Sequence, residues 1–167
     1  PSVALIASGG HTDLVLMKKH GSIKWLGGTR DDAAGEVFDK IGRLLNLPYP
    51  GGPAIETQAK KGNSKSYLFP RPMIYSKDYD FSFSGLKTAV IREIKTIKQF
   101  NNTTISNVCA SVQQAIVDVL VSKTVSAAQE YKVKSILLGG GVAANQKLRD
   151  EFQLKIESAN WTEKITL

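Results

Sequence analysis

The chain has 167 residues, enough for one domain with a sizeable core and short for two. Hydrophobic residues make up 42% and charged residues 22%, a globular balance that excludes a disordered chain. Lys plus Arg is 22 against 15 for Asp plus Glu, a net charge of +7. That balance suits a polyanionic partner such as RNA or a nucleotide, and a generally basic soluble protein shares it. Basic runs are no longer than pairs, Lys18-Lys19 and Lys60-Lys61, which excludes a charged tail. The single cysteine, Cys109, excludes an intrachain disulfide and points to a reducing, cytoplasmic setting. Its neighbours read as a helix interior, where a buried structural thiol is expected. No apolar run approaches the ~18 residues of a membrane span, and Pro1 to Ala7 lacks the basic start of a signal peptide. The chain enters its first strand with no lead-in, which reads as a piece of something longer.

In chain order, Val3 to Ala7 is a short apolar strand that ends in Ser8-Gly9-Gly10. Thr12 to Lys18 and Ser22 to Leu26 are two more strands, joined at His20-Gly21. Connections this short require an antiparallel meander. The period then becomes helical, with Ala34, Val37, Phe38, Ile41, Leu44 and Leu45 on one stripe between Asp31 and Leu47. Thr29, Asp31 and Asp32 are its candidate caps. Pro48-Tyr49-Pro50-Gly51-Gly52-Pro53 stops that helix, and a shorter one follows, Ala54 to Lys61. Gly62 to Asp80 reads as a loop or insertion. Further helices are expected at Leu86 to Lys98, after a turn at Asn101 to Thr103 at Ile105 to Tyr131, and at Ala143 to Ser158. Lys134 to Leu138 is a buried strand, and Ile165 to Leu167 begins another. The order β-β-β-α-(insertion, about 54–100)-α-β-α-β is that of an α/β ribonuclease H-like unit, which also forms each half of actin-like ATPases. Residues 1–167 are read as one domain.

Five segments carry candidate chemistry, each beside a plainer reading. Ser8-Gly9-Gly10-His11-Thr12 offers amides and hydroxyls to an anion, or is a hairpin turn. Gly139-Gly140-Gly141 into Val142-Ala143-Ala144-Asn145 joins a strand to a helix, a place where backbone donors and a helix dipole meet ligands. It has neither dinucleotide nor P-loop spacing, and Asn145 could equally be a first-turn helix residue. Asp32, Glu36 and Asp39 share a helical face that suits a metal or a ribose, or a solvated face paired with Lys40 and Arg43. Pro50 to Pro53 lies against a ligand or stops a helix. Phe81-Ser82-Phe83-Ser84-Gly85-Leu86-Lys87 is a substrate edge with Lys87 facing phosphate, or an edge strand with an N-cap. No catalytic triad and no metal-spaced His or Cys pair is present, so no catalytic residue is assigned.

Taken in order, Ser8 to Thr12, Asp31 to Lys40, Tyr49 to Pro53, Phe81 to Thr88 and Gly140 to Asn145 resemble the catalytic subunit of the tRNA threonylcarbamoyladenosine machinery, formerly labelled O-sialoglycoprotein endopeptidase or glycoprotease. The resemblance runs along essentially the whole chain. It implies an actin-like fold of two ribonuclease H-like halves with ligand between them. It implies transfer of threonylcarbamoyl from threonylcarbamoyl-adenylate to N6 of the adenosine beside the tRNA anticodon. Family binding residues carry over to Ile6, Ala7, Ser8, Gly9 and Gly10, which would meet phosphate or the carbamoyl end. Asp39 would accept from ribose hydroxyls, and Gly52 and Asn145 would line the nucleotide. His11, Thr12, Gly140 and Gly141 are additional candidates. Threonylcarbamoyl-adenylate or ATP is the implied ligand, and tRNA and complex subunits are the implied partners, with no membrane role.

The family also binds one divalent metal, iron or zinc, through an upstream His-x-x-x-His and a downstream Asp. Neither segment occurs here, so the chain reads as the second half of the enzyme, without a metal ligand set and inactive alone. A face that packs on the missing half should be exposed. Three other readings compete: a metallo-endopeptidase, a non-catalytic nucleotide-binding module, and, at a distance, a sugar kinase of the same superfamily. A peptidase needs a metal-activated water or a nucleophile with a base, and the sequence shows no such set.

Overall fold

The structure is a computed structural model that describes residues 1–97 and 100–158. Three strands, β1 (Ser2–Ala7), β2 (Thr12–Lys19) and β3 (Ser22–Gly28), form the expected antiparallel meander, and β4 (Ser135–Gly139) adds in parallel beside β1. The sheet order is β3-β2-β1-β4. Among the described residues, five helices accompany it: α1 (Ala34–Leu44), α2 (Gly51–Ala59), α3 (Ser84–Thr96), α4 (Asn102–Glu130) and α5 (Gln146–Ser158). A 3₁₀ turn, Gly141–Ala144, links β4 to α5. Residues 165–167, where another strand is expected, and residue 98, the expected end of α3, lie outside the described residues.

Alternation along the strands decides the layers. Val3, Leu5 and Ala7 of β1, Leu14 and Leu16 of β2, and Ile136 of β4 point to one face and are buried. The other face carries Ile6, Ile23, Trp25 and Leu137, all substantially exposed. α4 fills the centre of the core. It buries Val108, Val112, Ile116 and Val119, which recur at helical spacing, together with Cys109, Ala115, Leu120 and Ala127 around them, while Val125 on the same stripe is only partly buried. Fully burying each large aliphatic side chain contributes about 1.5–3 kcal/mol, and a helix apolar on most sides must be buried. α4 is also long and, on average, apolar enough to cross a membrane, although polar residues interrupt it and no continuous apolar run of that length occurs, and 72% of that window is buried in the protein. Burial pushes the Cys109 thiol up to about 12, as expected of an inert structural cysteine.

The loop from residue 62 to 80 is strapped along α4 by side chains. The Asn63 amide donates to Asn107 Oδ1 (2.8 Å), Arg71 pairs with Asp118 (2.8 Å), and buried Lys123 donates to Ser76 Oγ (2.8 Å) and the Asp78 carbonyl (2.9 Å). Burial lowers the Lys123 ammonium pKa, and Asp78 opposes that shift. Arg30 closes the strap with Asp78 and Asp80 at 3.0 and 2.8 Å.

α4 starts at Asn102 and not Ile105, with Asn101 Oδ1 accepting from the Thr104 amide, and the expectations for α1, α2 and Leu44 also need correction. α1 starts at Ala34, so Asp31 and Asp32 precede the helix, and its cap is supplied by β2, where Thr12 Oγ1 accepts from the Ala34 amide (2.9 Å). α2 starts at Gly51 and not Ala54, because Asp39 Oδ1 accepts from the Gly51 amide (2.7 Å) and caps it. Leu44, read as core, is 43% exposed, because the stripe turns off the core at the end of α1.

Candidate functional site

The glycine turn after β1 is built into the start of α1. Ser8 Oγ accepts from the amides of Gly10 (3.3 Å) and His11 (3.1 Å), and the Ser8 carbonyl accepts from the Gly35 amide (3.0 Å). A side-chain carbon at Gly35 would sit 2.5 Å from that carbonyl oxygen, so only glycine permits this approach. At the end of β4, Gly140 has φ of 87°, and a side chain there would run into the Ala7 carbonyl. The carboxyl ends of the parallel strands β1 and β4 therefore hold two glycine turns side by side.

Between these turns and α2 lies a cleft of about 230 Å³. Gly9, Asp39, Gly52, Gly141 and Asn145 line it, together with Gly35, Phe38, Pro50, Pro53, Glu56, Val142 and Ala144. Five of the twelve candidate positions thus meet at one place, from four separate stretches of chain. The other seven do not line it. Ile6 faces the open side of the sheet, and Ala7 is buried at the strand end. Ser8 and Thr12 spend their hydroxyls on the turn and on α1. Gly10 and His11 are exposed beside the cleft, and Gly140 shapes the second turn.

Each polar side chain of the cleft already holds a helix start and keeps some capacity free. Asp39 uses Oδ1 on α2. Glu56 Oε1 accepts from the Gln146 amide at the start of α5 (3.1 Å). Asn145 is the N-cap of α5: its Oδ1 accepts from the Leu148 amide (3.0 Å), and its Nδ2 donates to Gln113 Oε1 (2.9 Å). The sequence pattern puts Asn145 inside a helix from Ala143, whereas the 3₁₀ turn ends before it and α5 begins after it. Glu56 carries no signal in a helix that begins at Ala54, where Gly52 lies outside the helix. With the helix beginning at Gly51, Gly52 and Glu56 fall at i and i+4 on one face.

Asp31 and the Phe81 to Lys87 motif belong to a neighbouring clamp. Asp31 accepts from Ser82 Oγ (2.5 Å) and from the amides of Phe83 (2.7 Å) and Ser84 (3.2 Å). Burial alone would raise its carboxyl pKa, but these bonds outweigh it and hold the group below the usual range. Asp32 lies between Lys87 (2.5 Å) and Lys40 (2.8 Å), which overcome its burial in the same way. Lys87 is therefore engaged by a carboxylate. Phe81 and Phe83 are buried and stacked, so the motif is an edge bridge to Thr29 followed by a capped helix. A larger cavity, about 800 Å³, lies between Arg71, Tyr75, Asp118 and Lys155, and no candidate residue lines it. Among the described residues no group of three or more His, Cys, Asp or Glu could hold a metal ion, so the ligand set present does not fit the implied metal.

A three-strand meander, a helical crossover to a parallel fourth strand, and a cleft at the carboxyl ends of β1 and β4 define a ribonuclease H-like half of the actin-like ATPase fold. Solved structures agree at the level of fold. HypF of T. kodakarensis matches 88% of this chain and 18% of its own, with a TM-score of 0.59 and 20% identity. Component A of (R)-2-hydroxyglutaryl-CoA dehydratase from Acidaminococcus fermentans matches 98% of this chain and 54% of its own, with a TM-score of 0.51 and 14% identity. Residues 1–163 match the TsaD family, tRNA N6-adenosine threonylcarbamoyltransferase, and the chain belongs to that family. A tRNA N6-adenosine threonylcarbamoyltransferase of Moorella thermoacetica is 50% identical over 160 residues, 95% of this chain and 47% of the relative. The Bacillus subtilis protein of the same description is 52% identical over 150 residues, 89% of this chain and 43% of the relative. The chain thus spans about half the length of these relatives.

Proposed function

We propose that this chain is the second half of a tRNA-modifying threonylcarbamoyltransferase and supplies much of its nucleotide site. The convergence of Gly9, Asp39, Gly52, Gly141 and Asn145 on one cleft carries the reading. The ligand is threonylcarbamoyl-adenylate or ATP. The free carboxylate oxygens of Asp39 and Glu56 accept hydrogen bonds and repel phosphate, so they suit ribose hydroxyls. The backbone at Gly9 and at Gly141, where the 3₁₀ turn begins, lines the cleft and offers N–H groups that suit phosphate. Val142 and Ala144 supply an apolar wall beside Asn145 for the base.

In the reaction, N6 of the adenosine beside the tRNA anticodon attacks the carbamoyl carbonyl carbon. The new C–N bond forms, the bond from that carbon to the phosphate oxygen breaks, AMP leaves with the electron pair, and the nitrogen gives up a proton. Such a step needs positioning and charge stabilisation more than a protein nucleophile. The net charge of +7 suits tRNA. The metal ligands, the subunits of the threonylcarbamoyladenosine complex and the other half of the transfer site lie in segments and proteins beyond these residues. The open sheet face bearing Ile6, Ile23, Trp25 and Leu137 suits packing against the rest of such a protein. The chain on its own binds nucleotide without transfer.

Equilibrium dialysis of AMP and of threonylcarbamoyl-adenylate against the chain tests this. Saturable binding of both, weakened in Asp39→Ala, is expected. Absence of binding would overturn the reading.

A further inference from the structure

We propose that Gln113 is a positioning residue for Asn145, and that together they present a single N–H donor to the cleft. The ligand contact this implies rests on the nucleotide reading above; the positioning itself does not. Asn145 and Gln113 are each only 7% exposed, so each polar atom they carry needs a partner. The Leu148 amide requires an acceptor, which fixes which atom of the Asn145 amide is oxygen. Gln113 Oε1 then takes one Nδ2 hydrogen at 2.9 Å, which fixes the plane of the amide. A flipped Asn145 would set donor against donor at Leu148 and acceptor against acceptor at Gln113.

An asparagine amide has two donor hydrogens and one acceptor oxygen. The oxygen and one hydrogen are committed, so the second hydrogen is what Asn145 retains for the cleft it lines. The ligand atom it selects must be an acceptor: a ring nitrogen, a carbonyl or a hydroxyl oxygen. Gln113 can impose this because it comes from α4, where Val112 and Ile116 on either side are fully buried and hold the helix in place. Rotation of the Asn145 amide, which an isolated cap residue could tolerate, is thereby removed.

The test follows the Asn145 side-chain amide by ¹⁵N–¹H NMR, with AMP as the probe. In the unmodified chain one Asn145 Hδ2 should exchange slowly and the other should shift when AMP is added. Gln113→Met, of similar volume without the acceptor, should abolish the difference between the two protons and weaken AMP binding about 5–10-fold, the loss of one buried hydrogen bond. Gln113→Glu, which keeps an acceptor oxygen, should retain the protected proton. AMP binding that leaves both Asn145 protons unmoved would overturn the proposal, as would a Gln113→Met variant that folds and binds AMP as well as the parent. Two distinct Asn145 protons in a chain that binds no AMP would leave the positioning intact and overturn the nucleotide reading. The wild-type arms decide the matter even where Gln113→Met fails to fold.

Discussion

Replacing Asp39 separates its two tasks. In Asp39→Ala the Gly51 amide loses its 2.7 Å bond, and the start of α2 loses both its cap and an adjacent negative charge. An N-cap is worth about 1 kcal/mol and a charge at a helix start roughly 0.3–1 kcal/mol, which together come to about 2 kcal/mol. In a chain of this size each kcal/mol moves Tm by roughly 2–4 °C, so thermal unfolding followed by circular dichroism should shift down by roughly 4–8 °C. Asp39→Asn keeps an acceptor oxygen for Gly51 and loses only the charge, so its Tm should fall by roughly 1–4 °C, less than in Asp39→Ala. Both variants should weaken AMP binding, because the remaining carboxylate oxygen is the one offered to the cleft. An Asp39→Ala protein with an unchanged Tm, or an Asp39→Asn protein as unstable as Asp39→Ala, would refute the capping argument.

Gly35→Ala should destabilise the chain by about 2–4 kcal/mol despite a better helix former, since its methyl meets the Ser8 carbonyl 2.5 Å away; a neutral or stabilised variant by chemical denaturation would contradict the packing. The carboxyls of Asp31 and Asp32 are held below their usual range. Their contribution is complete above the unfolded carboxylate value of ~4 and is lost as the pH falls through the lower folded values. Urea midpoints measured downward from pH 5 should therefore fall steeply, and Asp31→Asn should flatten that dependence; identical pH profiles for parent and variant would count against the clamp. Cys109 should resist a thiol reagent in the folded chain and react at once in denaturant, whereas fast labelling of the native protein would show that the core is not closed around it.

The sheet was legible because its strands are short, apolar and separated by turns too tight for anything but a meander. The long helix was legible because Val108, Val112, Ile116 and Val119 keep helical spacing. The starts of the helices were less so, because three of them are capped across the fold. Thr12 caps α1 from β2, Asp39 caps α2 from α1, and Asp31 binds the Phe83 and Ser84 amides from 52 and 53 residues away. A local reading sees Asp31 and Asp32 as first-turn residues and Pro50 to Pro53 as a breaker. It cannot see that the breaker opens a helix once a distant carboxylate accepts its first amide. Glu56 stayed hidden for the same reason. Of the candidate site, the glycine turns, Asp39, Gly52 and Asn145 stood out as motif residues, while Gln113 carries no local signal: in sequence it is one polar position on an apolar helix.

The most direct measurement is a backbone and side-chain NMR map of the chain titrated with AMP. The account predicts saturable shifts centred on Gly9, Asp39, Gly52, Glu56, Gly141 and Asn145. Shifts centred instead on the cavity between Arg71, Asp118 and Lys155, or no shifts at all, would contradict it.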